Sequence, residues 1–303
     1  MMNRGLVIKR NEIMIIALVT LYNPDEKVRK HIIEIGKQVD QVILCDNSPK
    51  NNEDVFVDIP HCRYFFFARN LALSGAFNRI LKNNNDFKWN DDDFIIFFDQ
   101  DSSIEENHIA KLIDEYIRLT DSGYKVGCIG PVFFNRSTGK IAIPKIKKEI
   151  SKNSFAVKTI ITSSMVTTYG VLKQVGFWNE KLFLDLADWD LCLRMENKNY
   201  LCVESKVSIL NHAVGNGFRQ VLFFKLNVES NLVREFYQTR NCLYLLTKKY
   251  VPLRYKLRFL LTITVRPVLH LLFLEHGVSR MKYVIRGYQS FFERDTGEYR
   301  LSK

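Results

Sequence analysis

An α/β fold on a mostly parallel central sheet is what this 303-residue sequence predicts, and three observations carry it. Short apolar runs of strand length alternate with segments of helical periodicity through the first hundred residues. Those runs are continuous rather than alternating with polar residues, as expected for strands covered on both faces. Each leads into polar residues: Tyr22-Asn23, Asp46-Asn47, Arg69-Asn70 and Asp99-Gln100-Asp101. Ligands of parallel α/β sheets bind at the carboxyl ends of strands, so these four clusters are the first functional signal.

The elements follow in order. Ile13–Leu21 is a first strand. Arg4, Lys9 and Arg10 ahead of it imitate a signal peptide, but Glu12 interrupts the junction and no small-x-small cleavage site follows. Asn23-Pro24-Asp25 opens a helix from about Glu26 to Val39, with Val28, Ile32, Ile35 and Val39 on one face. Val42–Cys45, Tyr64–Phe67 and Phe94–Phe98 are further strands. Leu73–Asn83 and Glu105–Arg118 are helices, the second capped by Ser102-Ser103. Beyond residue 120 the pattern loosens. Strands are expected at Gly127–Phe134, Ile160–Val166 and Cys202–Leu210, and a helix at Asp188–Lys198. Residues 135–158, basic and poor in bulky apolar groups, read as a surface loop. Residues 229–250 and 252–292 read as helical. The expected division is a domain over 1–245 and a basic helical region over 246–303.

Composition narrows the function classes. Hydrophobic residues are 47% and charged residues 25%, which excludes a disordered or fibrous chain. The net charge of +11 is lopsided: residues 1–218 carry 28 Lys/Arg against 27 Asp/Glu, whereas 219–303 carry 16 against 6. A near-neutral body thus bears a basic C-terminal region suited to an anionic partner. The six cysteines form no CxxC pair and read as buried free thiols of a reducing compartment. The most apolar long stretch, Leu257–Leu274, is interrupted by Arg258, Arg266, Pro267 and His270, so no membrane-spanning helix is expected.

Several residues can carry chemistry. Asp99 and Asp101 lie two apart at a strand end, where i and i+2 side chains converge. Two hard oxygen ligands suit Mg²⁺ or Mn²⁺ and, through the ion, phosphate; a solvated turn is the alternative. Asp46 can accept from a pyrimidine N–H or a sugar hydroxyl, or can simply form an Asx-turn before Pro49. Small residues after Asn70 (Ala72, Ser74, Gly75, Ala76) permit close backbone approach to a phosphate at a helix start, or tight helix–sheet packing. Asp185 and Asp188 share a face if helical. In an apolar setting either can act as a general base, or the acids can cap a helix with Arg194 as partner. His212 is a candidate metal or phosphate ligand, or a structural histidine.

Taken in order, these pieces resemble the family 2 glycosyltransferases of GT-A fold, and more closely their bacterial rhamnosyltransferase-like branch. The carrying residues are Val19–Pro24, Asp46-Asn47-Ser48, Asn70–Asn78, Phe97-Phe98-Asp99-Gln100-Asp101-Ser102, Gly176–Glu180 leading to Phe183-Leu184-Asp185, Asp188–Arg194, His212 and Arg240-Asn241. The resemblance implies a nucleotide site of Thr20, Tyr22, Asn23 and Asp46, with Asn70 beside it. Asp99 would face the ribose or donor sugar, Asp101 with Asp99 and His212 would hold the metal and diphosphate, and Asp188 would be the base, with Asp185 its competitor. Two positions depart from the family pattern: Ala72 where Gly is common, and Ala187 where an acid often precedes the base.

The implied activity is inverting, metal-dependent transfer of L-rhamnose from dTDP-L-rhamnose to a lipid-linked glycan of a bacterial surface polysaccharide, O-antigen or capsule. The implied location is cytoplasmic, peripheral at the inner face of the plasma membrane. A UDP-sugar-dependent galactosyl- or galactofuranosyltransferase is the rival enzyme. A nucleotidyltransferase is disfavoured because no Gly-rich basic loop follows Leu21. A non-catalytic basic membrane-surface protein is the rival from another class. Residues 250–290 alternate apolar groups with Arg254, Lys256, Arg258, Arg266, Arg280, Lys282 and Arg286, as a helix lying on an anionic membrane would; a helix covering the sheet with its basic side solvated is the alternative. Nucleic acid is not expected, because acids at the strand ends repel phosphate.

Overall fold

The computed structural model describes residues 13–83, 85–135, 140–142, 146–212, 218–221, 224–227 and 231–299. Its first half follows the expected alternation: β1 (Ile15–Leu21), α1 (Glu26–Gly36), β2 (Gln41–Asp46), β3 (Cys62–Phe66), α2 (Ala72–Leu81), β4 (Phe94–Asp99) and α3 (His108–Asp121). The strands β3-β2-β1-β4 are mutually parallel. Their carboxyl ends are therefore aligned: Leu21 is level with Asp46, and Thr20 with Asp99.

Both faces of this sheet are covered, which is why its strands are apolar throughout. Ile16 and Leu18 of β1 pack into one core with Phe77 and Ile80 of α2. Ala17, Val19 and Leu21 enter the other with Ile32 and Ile35 of α1 and Leu112 of α3. Asp25 caps α1, its carboxylate accepting from the Lys27 and Val28 amides at 3.0 and 3.1 Å. The helix stops at Gly36, short of the expected Val39.

The second half is mixed. It comprises β5 (Val126–Asn135), β6 (Lys140–Ala142), β7 (Lys148–Glu149), β8 (Ser154–Val157), β9 (Met165–Thr168), α4 (Tyr169–Val175), α5 (Ala187–Asn197) and β10 (Leu201–His212). Strand β9 runs antiparallel between β4 and β5, and the sheet ends β10-β8-β7. Residues 135–158 are thus not the expected loop but include three short strands. The two-residue β7 is exposed and needs no apolar patterning, whereas β8 is short but buried throughout, its Phe155 and Val157 entering the core. A separate hairpin pairs β11 (Phe218–Val221) with β12 (Phe224–Asn227).

Two further expectations are corrected. The third helix starts at His108, not near Glu105. Ser102 does not cap it but hydrogen-bonds the Ser163 hydroxyl. Ile160–Val166 is mostly not strand, because Ser163 and Ser164 turn inward to Ser102 and His108. His108 is locked between the Ser164 and Ser208 hydroxyls at 2.5 and 2.7 Å, and burial pulls its pKa down to about 4. Five of the six cysteines are buried, and all six are free, as expected.

Buried Glu204 in β10 has one carboxylate oxygen without a hydrogen-bond partner, and burial pushes its pKa up to about 8. A carboxyl with a raised folded-state pKa costs stability progressively as pH rises from its unfolded value to its folded one. Glu204→Gln is therefore expected to raise Tm at pH 7–8 and to lose that advantage near pH 4. A thermal-melt series across this range checks it, and a pH-independent difference would contradict it.

Three helices close the chain: α6 (Val233–Leu246), α7 (Leu253–Phe273) and α8 (Gly277–Phe292). The expected continuous helix over 252–292 is broken at 274–276, where Gly277 passes against the Leu271 backbone too closely for any Cβ. Pro267 does not break α7. It withholds a hydrogen bond from the Ile263 carbonyl, and the Tyr288 hydroxyl of α8 supplies one at 2.8 Å. Helices α7 and α8 pack on α6, across the expected boundary at 245, and Tyr299 returns to donate its amide to the Tyr237 hydroxyl at 2.7 Å.

Candidate active site

A cleft of about 510 Å³ opens at the carboxyl ends of β1 and β4. Thr20, Tyr22, Asn70 and Asp99 line it, four of the residues singled out from sequence. Gln100 fixes the rim: its side chain accepts from the Tyr22 amide at 2.7 Å and donates to the Tyr22 carbonyl at 3.2 Å. The turn after β4 is thereby tied to the turn after β1.

Asp46 lies differently. It is fully buried, and its carboxylate accepts from the Ser48 amide at 2.8 Å, the Asn52 side chain at 2.9 Å and the Tyr64 hydroxyl. The acceptor sites expected to face a pyrimidine are occupied by its own loop. Its neighbour Asn47 reaches the cleft instead. Asn47 also accepts from the Leu71 amide at 3.0 Å and donates to the Ala72 carbonyl at 3.2 Å, pinning the start of α2 to β2. Asn23 is exposed, its amide donating to Ser48 at 2.7 Å. Asn70 forms an Asx-turn onto the Ala72 amide at 2.9 Å.

The second acidic constellation sits opposite. Leu184 and Leu186 flank Asp185 in left-handed backbone conformations, φ 71° and 69°, which β-carbon-bearing residues hold only when their surroundings impose it. Asn241 of α6 supplies that constraint, donating to the Phe183 and Asp185 carbonyls at 3.2 and 2.7 Å. The Asp185 carboxylate forms an ion pair with Arg234. Asp190 is buried against Arg194 at 2.7 Å and against the Tyr250 hydroxyl, so it is the acid that uses the arginine.

Asp188, in the first turn of α5, accepts from the Trp189 backbone amide at 2.8 Å. Burial, then the charges of Asp185 and Asp99, push its pKa up to about 6, partly offset by the backbone hydrogen bonds. Asp188 thus feels the charge of Asp99, although 89 residues separate the two in the chain. A carboxylate of this kind can take a proton near neutral pH.

Asp101 is exposed on the turn beyond Asp99. Asp99 at the end of β4 and Asp101 on the turn beyond it are the two carboxylates this strand end can offer a divalent cation as hard oxygen ligands. His212 ends β10, and its side chain lies outside the described residues.

Sequence reasoning missed part of the lining: Asn47, Phe183, Asn231, Val233, Tyr237 and Glu298. No local signal marks the last four. They reach the cleft because α6 and the returning C-terminal segment pack over it.

The chain is similar to known proteins in sequence and in fold. Residues 17–170 match glycosyl transferase family 2. The dTDP-rhamnosyl transferase RfbF of Shigella flexneri is 28% identical over 256 residues, covering 80% of this chain and 83% of its own length. Among solved structures, S. aureus TarS 1–349 in complex with UDP-GlcNAc aligns over 93% of this chain and 81% of its own, with a TM-score of 0.59 at 11% identity. GalNAc-T7 with UDP, GalNAc and Mn²⁺ aligns over 82% of this chain, with a TM-score of 0.53 at 10% identity; the match covers 54% of the GalNAc-T7 chain. The family match extends over half of the sequence and takes in β1 through β9 with the first acidic constellation. The chain therefore belongs to glycosyl transferase family 2, as a rhamnosyltransferase-like glycosyltransferase on a GT-A fold.

Proposed function

We propose that this enzyme inverts the anomeric centre as it transfers L-rhamnose from dTDP-L-rhamnose to a hydroxyl of a lipid-linked glycan, at the inner face of a bacterial membrane, in O-antigen or capsule synthesis. The observation that carries the proposal is Asp188: a carboxyl with a raised pKa, electrostatically coupled to Asp99 in the nucleotide-side cleft. The donor choice follows the likeness to the Shigella flexneri enzyme.

Thr20, Tyr22, Asn47 and Asn70 receive the nucleoside, and Asp46 acts as a positioning residue that shapes their loop through Ser48, Asn52 and Tyr64. Asp99 faces the ribose or donor sugar. Asp101 with Asp99, together with His212 as the family resemblance implies, would hold Mg²⁺ or Mn²⁺. When bound, that ion neutralises charge growing on the departing nucleoside diphosphate. Asp188 takes the acceptor hydroxyl proton, and the freed oxygen attacks the anomeric carbon from the face opposite the leaving group. Asp185, held by Arg234, orients the Asp188 loop rather than competing as base.

A thermal-shift panel with Mn²⁺ tests the donor. Stabilisation by dTDP-L-rhamnose above UDP-galactose and UDP-GlcNAc is expected, and the reverse ranking would reassign the donor to the UDP sugars.

The membrane location rests on α7 and the charge of its region. No helix among the described residues is long and apolar enough to cross a bilayer. Yet Leu253, Leu257, Leu260, Leu261, Val265 and Val268 of α7 are exposed, beside the Lys/Arg excess of the last 85 residues. Such a face can lie in an anionic membrane surface. The full chain is expected to float with phosphatidylglycerol-containing liposomes, and Leu257→Ser/Leu261→Ser to float several-fold less. Equal flotation of the two would remove α7 as the contact.

A further inference from the structure

A second recess, of about 250 Å³, lies at the start of α7 against β8 and α5. Val157, Lys158, Thr159, Trp189, Arg254, Tyr255 and Arg258 line it. Three of these are cations set around two aromatic rings. The Arg258 guanidinium sits 4.5 Å from the Trp189 ring centre. Arg254 and Lys158 sit 5.1 and 5.5 Å from the Tyr255 ring. The nearby carboxylate is Glu196, 3.6 Å from Arg254 and already bound by Lys147 at 2.6 Å. The recess thus keeps net positive charge.

Two features point to an anionic occupant. Helix α7 starts at Leu253 with no side-chain cap from Pro252, and its first-turn residues Arg254 and Tyr255 line the recess, so the positive end of its dipole lies at this site. Tyr255 is 5% exposed, yet its hydroxyl has no hydrogen-bond partner. Buried hydroxyls are rarely left unpaired, because the lost hydration is not returned.

The position narrows the ligand further. Arg254 and Arg258 are one helical turn apart, and exposed Leu253 and Leu257 adjoin them at the same spacing. An anionic group in the recess therefore meets apolar surface immediately beside it, as the phosphate of an amphiphile would. Trp189 and Asp188 are consecutive in the first turn of α5, so the recess and the residue assigned as base share that helix.

We propose that this recess binds the phosphate of a membrane amphiphile, with Arg258, Arg254 and Lys158 supplying charge and Tyr255 a hydrogen bond. The proposal deepens the acceptor side of the proposed function and rests on that reading for its link to transfer.

The test uses the full chain, EDTA to weaken diphosphate binding in the donor cleft, and two substitutions. Inorganic pyrophosphate is expected to raise the wild-type Tm and perturb tryptophan fluorescence. Tyr255→Phe, which keeps the ring, should weaken pyrophosphate binding about tenfold without lowering the ligand-free Tm, and Lys158→Gln/Arg258→Gln should abolish it. Equal binding by wild type and both variants, or none by wild type, overturns the site. Vesicles separate the sources: phosphatidylcholine doped with phosphatidic acid should bind wild type more tightly than the double variant. If pyrophosphate binds but these vesicles do not distinguish the proteins, the lipid assignment is overturned. Stabilisation by dTDP with Mn²⁺ is read in parallel. Its retention in both variants separates failure of this recess from failure of the donor reading.

Discussion

Asp188→Asn is expected to lower transfer by about 10²–10⁴-fold while leaving nucleotide-sugar binding intact. The substitution keeps the size and position of the side chain but removes its capacity to accept the acceptor's proton. In wild type, kcat/KM is expected to rise through pH about 6, because only the ionised carboxylate can act as base and burial beside Asp185 and Asp99 holds its pKa there. The variant should lose that acidic limb. Stability should move the other way. An aspartate whose folded-state pKa exceeds its unfolded value weakens the fold as pH rises from about 4 to about 6. The asparagine variant avoids this cost and should be more stable at pH 7 by roughly 1–2 kcal/mol, discounted because the carboxyl is only half-buried. Initial-rate and melting measurements on one preparation test both. Unchanged turnover would remove Asp188 from the base position, and turnover lost together with donor binding would make it a structural residue.

Glu235→Gln is expected to cost about 3–5 kcal/mol, the loss typical of breaking a buried ion pair from one side. Glu235 is buried in α6. His270 Nδ1 lies 2.7 Å and Arg280 Nη1 3.1 Å from the same carboxylate oxygen. Arg266 Nε donates to His270 Nε2 at 3.2 Å, which leaves the His270 proton on Nδ1, directed at Glu235. Burial alone would raise the Glu235 pKa, but the His270 hydrogen bond and the Arg266 and Arg280 charges outweigh it and hold the carboxyl below its usual range. The contribution is therefore present at neutral pH and lost as pH falls through the depressed value. Removing the charge leaves Arg280, 4% exposed, without its buried counterion. Because α6 and the returning tail give Val233, Tyr237 and Glu298 to the cleft, donor affinity should fall with stability. A Tm within about 2 °C of wild type would show that the cluster does not bind the three helices together.

The parallel half of the fold was legible because its signals are local. A strand buried on both faces needs an uninterrupted apolar run, as in Ile15–Leu21 and Phe94–Phe98, and an amphipathic helix needs its 3.6-residue period. Strands β6 and β7 gave no such signal, since pairing to an existing edge makes them strands, and the buried run of β8, Phe155 to Val157, is too short to be read apart from the polar residues around it. The same difference explains Asp46 and Asp188. The sequence placed both acids at element ends, but which partners each meets depends on residues far along the chain. Tyr64 and Asn52 turn Asp46 inward, whereas among the described residues no side-chain donor claims Asp188.

By itself, the sequence determined that a parallel sheet would gather Thr20, Tyr22, Asn70 and Asp99 at one edge, because strand direction and side-chain alternation follow from local patterning. Only the tertiary structure decided which carboxylates stay available there. Asp185 is spoken for by Arg234, Asp190 by Arg194 and Tyr250, and Asp46 by its own loop, while Asp188 keeps a raised pKa. The physical reason is that a carboxyl's proton affinity is set by the charges, hydrogen bonds and water within a few ångströms of it, and that neighbourhood exists only once distant segments have packed.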